Sequence, residues 1–504
     1  MYFLGIDLGT SSVKVIVMDC NGKVINNVSK NYEISYPNIG WAEQNPEDWW
    51  YSTKECIKEV IAQSGLESVE ITGIGFSGQM HSLVLLDKDN EVLMPAILWC
   101  DQRTQEECDY LNDVIGKDKL SKYTGNMALT GFTAPKVLWV KKHRSDIYHK
   151  IAKMMLPKDY IRFKLTGMFA TDVSDASGTL MFDVENRKWS KEMLNILEIK
   201  EEILPKVFES FEITGKVCEE AAKATGLCEK TVVVAGAGDQ AAGAVGTGTV
   251  HSGIVSVALG TSGVVFACDE KFSVDSGNRL HSFCHSNGKW HQMGVMLSAA
   301  SSLQWWNDNI NIDTKTNSFE ILLSEAEKTA VGCKGLIYLP YLIGERTPYS
   351  DPDAKGAFIG LNITHKRGDM TRSILEGVCF GLRDSLEILK SMGVEVREVR
   401  VSGGGSKSVL WKQILANVFN LKVCSINSKE GPAYGASILA AVGCGLYANV
   451  EEACSELINI TEIIEPIKKD VEKYNEIYKV YVSLYGCLKD KFKDLSKLNL
   501  YEGE

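Results

Sequence analysis

The segment Asp7-Leu8-Gly9-Thr10-Ser11-Ser12-Val13 returns in altered form at Ala258-Leu259-Gly260-Thr261-Ser262-Gly263-Val264. Each copy follows an apolar run (Tyr2 to Ile6; Ile254 to Val257) and precedes another (Val13 to Met18; Val264 to Ala267), the pattern of a β-hairpin with a small-residue turn. Such a turn exposes backbone amides and hydroxyls, and glycine lets the backbone approach a phosphate whose charge those amide dipoles favour. One Gly-Thr-Ser turn alone is ordinary hairpin chemistry. Two copies in matching contexts point to two related halves closing on one polyphosphate. The copies differ at their first residue, Asp7 against Ala258, so only the first turn offers a carboxylate to a metal.

At 504 residues the chain exceeds what a single core organises, and its length suggests about two to four domains. With 45% hydrophobic and 24% charged residues its composition is that of an ordinary globular protein. A formal net charge of -11 argues against a general nucleic-acid binder or a polybasic membrane anchor. The 14 cysteines show no CxxC pair and no zinc-type spacing, and read as reduced, mostly buried small hydrophobes. A strand begins within two residues of Met1 and no apolar run reaches about 18 residues, so no signal peptide or membrane span is expected and the protein is assigned to the cytoplasm.

Beyond the first hairpin, Asn45 as cap, Pro46 at the first helical position, Glu47 and Asp48 in the first turn and Gly65 at the end mark a helix. Val69 to Phe76 reads as a buried strand leading into Gly78-Gln79-Met80-His81, and strand ends are where α/β proteins place ligands. Thr231 to Ala235 is a further strand, followed by a small-residue helix. The domain boundary is drawn at residue 247, giving halves 1–247 and 248–504. The second half is predicted to carry a helix near Asp369 to Lys390, a strand Val396 to Val401, the loop Ser402-Gly403-Gly404-Gly405-Ser406 and a helix to Asn420. The tail from Glu465 reads as an amphipathic helix packed on the body through Tyr474, Ile477, Tyr478, Val480 and Tyr481.

Asp239 is the strongest catalytic candidate. It lies in Gly236-Ala237-Gly238-Asp239-Gln240 at a strand-to-helix junction, where a side chain can project into a cleft beside a helix N-terminus. Phosphoryl transfer needs a base, a metal to neutralise the phosphates and donors to position them. Asp239 supplies the base. Asp7 holds Mg²⁺ through water, as suits a hard ion that keeps its hydration shell. Gly9, Thr10 and Ser11 with Gly260, Thr261 and Ser262 position the phosphates, while Gly403, Gly404 and Gly405 offer bare backbone to an adenine or ribose.

The chain resembles the FGGY family of carbohydrate kinases. The phrases that carry the resemblance are Gly131-Phe132-Thr133-Ala134-Pro135-Lys136 in the first half, and Gly356-Ala357-Phe358-Ile359-Gly360-Leu361 with Asp369 through Glu376 in the second. Leu156-Pro157-Lys158-Asp159-Tyr160, Ser174-Asp175-Ala176-Ser177-Gly178-Thr179, His281-Ser282-Phe283-Cys284-His285 and Gly344-Glu345-Arg346-Thr347-Pro348 extend it from Met1 to about Leu446. The resemblance implies an α/β, two-domain actin-like (ribonuclease H-like) ATPase fold with an interdomain active-site cleft. It further implies ATP and Mg²⁺ as cofactors, and transfer of the γ-phosphoryl group to the 5-hydroxyl of D-xylulose.

The same resemblance puts the base on Asp239, the metal-associated carboxylate on Asp7, and sugar contacts on Gln79, Met80 and His81, with Asp101, Arg103 and Gln240 as further contacts. Glycerol kinases carry Gln-Arg-Glu at the first of these phrases; Met80-His81 gives an apolar wall and a switchable donor or acceptor that suit a ketose. Two departures, Gln240 after the aspartate and Cys100 in Trp99-Cys100-Asp101-Gln102-Arg103, leave ribulose and glycerol open as substrates. A non-enzymatic actin-like ATP-binding protein is the remaining alternative, and a homodimer is left open as the assembly.

Overall fold

The computed structural model describes residues 1–310 and 318–498. Strands β1 (Tyr2–Leu8) and β2 (Ser12–Asp19) form the first hairpin, and β3 (Val24–Asn31) continues the meander. Helix α1 (Pro46–Ser64) starts where its cap predicts, the Asn45 side chain accepting from Glu47 N, and stops at Gly65 with φ 65°. The next strand, β4 (Ile71–Gly78), begins later than expected: Val69 lies in a 3₁₀ turn (Ser68–Glu70) and is 64% exposed. Helix α2 (Pro157–Thr166), strands β5 (Ile213–Lys216) and β6 (Val232–Val234), and helix α3 (Asp239–Gly246) complete this half. The sheet order is β5-β6-β4-β1-β2-β3.

The second half repeats this plan. Its strands are β7 (Gly253–Leu259), β8 (Gly263–Asp269), β9 (His281–Cys284), β10 (Trp290–Met296), β11 (Val396–Ser402), β12 (Lys422–Ile426) and β13 (Ile460–Ile464). They are ordered β9-β10-β8-β7-β11-β12-β13. Apart from β9 the two sheets match strand for strand, down to the alternation of pairings: a hairpin, a parallel neighbour to its first strand, a second parallel strand and an antiparallel edge. Asp7 stands opposite Ser77 and Ala258 opposite Ser402, so the positions that differ between the repeats occupy equivalent places. Helices α4 (Arg367–Ser391) and α5 (Val409–Phe419) cover this sheet, α4 about one turn longer than expected and α5 ending at its C-cap Asn420 as expected, with Ser408 capping its start.

Helix α6 (Gly431–Gly443) belongs to the second half by sequence but packs on β1 and β4 of the first and against α3. Contact is backbone to backbone: a Cβ on Gly5 would stand 1.9 Å from Ala433 O, one on Gly75 1.9 Å from Ala436 O, and one on Gly435 1.8 Å from Ala242 O. The packing therefore crosses the boundary drawn at residue 247 from the sequence. Helix α7 (Lys468–Lys497) lies on the body as predicted, with Tyr474 and Tyr481 fully buried; Val480, 51% exposed, faces away. No helix among the described residues is long and apolar enough to cross a membrane.

Candidate active site

The carboxylate of Asp7 stands at the end of β1, where Ser77 Oγ donates to its Oδ1 at 2.8 Å. Asp239 is the first residue of α3 rather than its cap, that place being taken by Gly238. Both aspartates are half-buried. Burial, and then the negative charge of Asp7, push the Asp239 carboxyl up to about 7, while the backbone and side-chain amides of Gln240 pull it back. Burial also raises Asp7, against the Ser77 hydrogen bond and Lys14. The two carboxyl groups interact through their charge, and both are held above the usual carboxylate range, as groups at functional sites commonly are.

The first turn is held from below. Gln44 Nε2 donates to Thr10 O (2.7 Å), Trp99 Nε1 to Thr10 Oγ1 (2.9 Å) and the Tyr32 hydroxyl to Gly9 O. Gln79 joins this buttress: 1% exposed, it directs Nε2 towards Gly9 O (3.5 Å) and Gln44 Oε1 (3.4 Å). Gln79 thus lies beneath the Gly9–Ser11 turn with its Oε1 unpartnered among the described residues, and Met80, also buried, lies against Gly178 and Gly238. In the second turn, Gly260 O and Thr261 O accept from Ala300 N and Ala299 N, both at 2.9 Å, and Ser262 is half-buried beside them. Gly403, at φ 83°, rests on this turn, its missing Cβ 2.7 Å from Leu259 O; Gly404 is open and Gly405 lies against Trp411. The turn and the glycine triplet are brought together as the sequence suggests.

Met80 and His81 follow β4. His81 adopts φ 69°, a left-handed conformation that histidine tolerates better than most residues. Its Nδ1 lies 2.7 Å from Gly178 O, so Nδ1 carries the proton and Nε2 is left as an acceptor. Burial lowers its pKa to about 3, and the ring is neutral throughout the physiological range. A Cβ on Gly178 would lie 2.5 Å from Nδ1 and 3.0 Å from Met80 Cε. Gly178→Ala should therefore expel the imidazole and raise KM for the sugar about tenfold, with KM for ATP unchanged, as separate titrations of the two substrates would show.

Asp101 and Arg103 form a buried ion pair. The guanidinium pairs with Asp101 (2.7 Å) and Glu43 (2.8 Å) and lies 3.7 Å from the centre of the Trp41 ring, while Asp101 Oδ2 accepts from Ala42 N at 2.6 Å. Arg103 Nη1 has no partner among the described residues. Gln240 is half-buried next to the base.

Sequence reasoning missed what lies behind the base. Lys158 Nζ sits among Asp159 (2.7 Å), Asp172 (2.8 Å) and Asp175 (3.2 Å), with Arg162 3.2 Å from Asp159, all essentially inaccessible to water. Ser174 Oγ donates to Asp172 (2.6 Å) and accepts from Gly238 N (3.1 Å), linking this cluster to the peptide before Asp239. The phrases Leu156–Tyr160 and Ser174–Thr179 contained these residues, but nothing local in them signals that they meet.

Duplicated hairpin sheets of this order are those of the two-domain actin-like (ribonuclease H-like) fold, in which sugar kinases occur. Family models agree: the N-terminal domain of the FGGY family of carbohydrate kinases matches residues 2–246 and the C-terminal domain residues 255–444. A xylulose kinase of Bacillus subtilis is 41% identical over 490 residues, 97% of either chain. One from Escherichia coli is 40% identical over 474 residues, covering 94% of this chain and 95% of the relative. The crystal structure of ligand-bound xylulose kinase from Lactobacillus acidophilus superposes with a TM-score of 0.93 at 26% identity, covering 98% of this chain and 99% of that one. The protein belongs to the FGGY family of carbohydrate kinases, and is an enzyme that phosphorylates a sugar.

Proposed function

We propose that the protein phosphorylates D-xylulose at its 5-hydroxyl with ATP as donor. The observation that carries this reading is the Asp7–Asp239 pair, with Asp239 poised near neutrality beside the Met80–His81 wall. The names and near-complete coverage of the xylulose kinases above support the choice of sugar. Residues 1–247 hold the sugar and the base, and residues 248–504 hold the nucleotide on the Gly260 turn and the Gly403–Gly405 loop.

The sugar lies against Met80 with a hydroxyl donating to His81 Nε2, and its 5-hydroxyl donates to Asp239. As O5 bonds to the γ-phosphorus and the bridge to the β-phosphate breaks, the proton passes to Asp239, whose carboxyl near 7 accepts it and afterwards releases it to solvent. Thr10 and Ser11 in the first turn, with Thr261 and Ser262 in the second, donate to phosphate oxygens. Mg²⁺ fits Asp7, whose Oδ1 accepts from Ser77 while Oδ2 has no hydrogen-bond partner among the described residues, leaving a hard oxygen donor for the ion. When bound, the ion neutralises charge on the phosphates. Approach of the halves excludes water, which would otherwise take the phosphoryl group. The 14 free thiols suit the cytoplasm, where we place the enzyme.

The test is coupled ADP release with MgATP against D-xylulose, D-ribulose, L-ribulose, glycerol and no sugar. D-Xylulose is expected to lead by at least about tenfold in kcat/KM, the discrimination one well-placed polar contact supplies. Preference for another sugar would overturn the substrate, and ADP release indifferent to every sugar would overturn the kinase reading.

A further inference from the structure

We propose that Arg346, carried by the second half, is a specificity-determining residue that donates hydrogen bonds to the C1–C2 end of the ketose bound on the first half. The inference rests on the ketose-kinase reading above and adds a residue which that reading does not use.

The base of Arg346 is fixed. Thr347 exchanges hydrogen bonds with Val295 of β10, its amide donating to Val295 O and its Oγ1 accepting from Val295 N, both at 3.0 Å. Glu345 Oε1 accepts from Arg346 N (2.7 Å) and Leu297 N (3.0 Å). From there the side chain crosses to the first half, where Nη2 lies 3.9 Å from the point a Cβ on Gly131 would occupy. The next residue, Phe132, packs its ring on His81 with centres 4.8 Å apart and on His281 of β9 at 5.5 Å. The guanidinium thus reaches the rim of the same wall that presents His81.

Among the described residues no carboxylate or carbonyl pairs with this guanidinium, although it is half-buried. Its neighbour Glu345 acts on it through charge but makes no ion pair with it, its Oε1 being taken up by the backbone amides of Leu297 and Arg346. A partly desolvated cation without an anion is costly, and is retained where a ligand completes it.

The chemistry of the partner follows from the donor set. Arginine offers only donors and His81 Nε2 only an acceptor, so a hydroxyl can donate to the imidazole while accepting from Arg346, and a C2 carbonyl can accept from Arg346 alone. Arg346 reaches Gly131, next to the Phe132 ring that packs on His81 and His281, and its charge acts on both imidazoles, so it lies on the His81 side of the site. Arg346 therefore serves the end of the sugar remote from the reacting hydroxyl. Because it comes from the opposite half, a sugar held by both residues draws the halves together.

The experiment measures KM for D-xylulose and for ATP separately in wild type, Arg346→Gln and Arg346→Lys, with D-xylulose binding followed by tryptophan fluorescence without nucleotide. Arg346→Gln should raise KM and Kd for D-xylulose about 10- to 100-fold, with KM for ATP within about twofold, and the lysine variant should fall between. Unaltered sugar affinity in both variants, or a rise in KM for ATP as large as that for the sugar, would overturn the assignment. Should the glutamine variant not fold, the lysine variant decides: it keeps the charge but loses the fork, and at least a fivefold rise in KM for D-xylulose is expected. Wild-type turnover without preference for D-xylulose would instead overturn the reading beneath it.

Discussion

Asp239→Ala should lower kcat by about 10² to 10⁴-fold, the range for removing a positioned general base, while leaving sugar binding within a few-fold. Asp239→Asn, nearly isosteric, should do the same. The pH profile identifies the role. A base works ionised, and burial together with Asp7 sets the carboxyl at about 7, so kcat/KM in the wild type should rise about tenfold per unit up to pH 7 and then level. An Asp239 that only capped the helix would give no such limb.

Stability should move the opposite way. A carboxyl raised in the folded state contributes stability that is fully present below its unfolded value near 3.8 and is lost as pH rises through about 7. Above pH 7 the wild type therefore carries an ionised, half-buried carboxylate beside Asp7, and Asp239→Asn should melt at a higher temperature than wild type. A variant that is both inactive and less stable at pH 8 would show Asp239 to be a structural residue.

What was legible in the sequence is what local backbone chemistry writes down. Both hairpins, the Asn45–Pro46 start and Gly65 stop of α1, and the β11–glycine loop–α5 run stand where their residues place them. Periodicity also found α7, except at Val480, which turns to solvent because the buried stripe runs through Tyr474 and Tyr481. The crossing of α6 onto the other half's sheet was not legible: of the glycines that permit it, Gly435 lies hundreds of residues from Gly5 and Gly75, and all three look like ordinary strand and helix glycines. The sites divide similarly. Asp7 and Asp239 stand out by local context, but the pairing of Arg103 with Glu43 and Trp41, far earlier in the chain, could not be read from the Trp99–Arg103 phrase.

The second large effect concerns the charges behind the base. Lys158→Met should destabilise the protein by about 3–5 kcal/mol, the cost of removing one partner from a buried ionic group. Lys158 is fully buried, and burial alone would strip its proton; the surrounding Asp159, Asp172 and Asp175 outweigh that and hold it charged. Desolvation drives Asp175 well above the ordinary carboxylate range, with Lys158 pulling against it and Asp159 and Asp172 adding to the rise. The cluster therefore sets two cations, Lys158 and Arg162, against three carboxyl groups, one of which, Asp175, is pushed towards its protonated form. Methionine would leave Arg162 alone against all three, which favours protonated carboxyls in the buried cluster. Groups with raised folded pKa lend stability below their unfolded pKa and lose it as pH rises, so the deficit of the variant should be largest at pH 8 and shrink towards pH 5 in thermal or urea melts. A deficit independent of pH would mean that lost packing of the lysine stem, not charge, is responsible. Because Asp172 orients Ser174, and Ser174 holds Gly238 N, folded Lys158→Met should also lose kcat more than it gains KM. Ser174→Ala, which leaves every charge in place, should reproduce that kcat loss with a much smaller fall in stability.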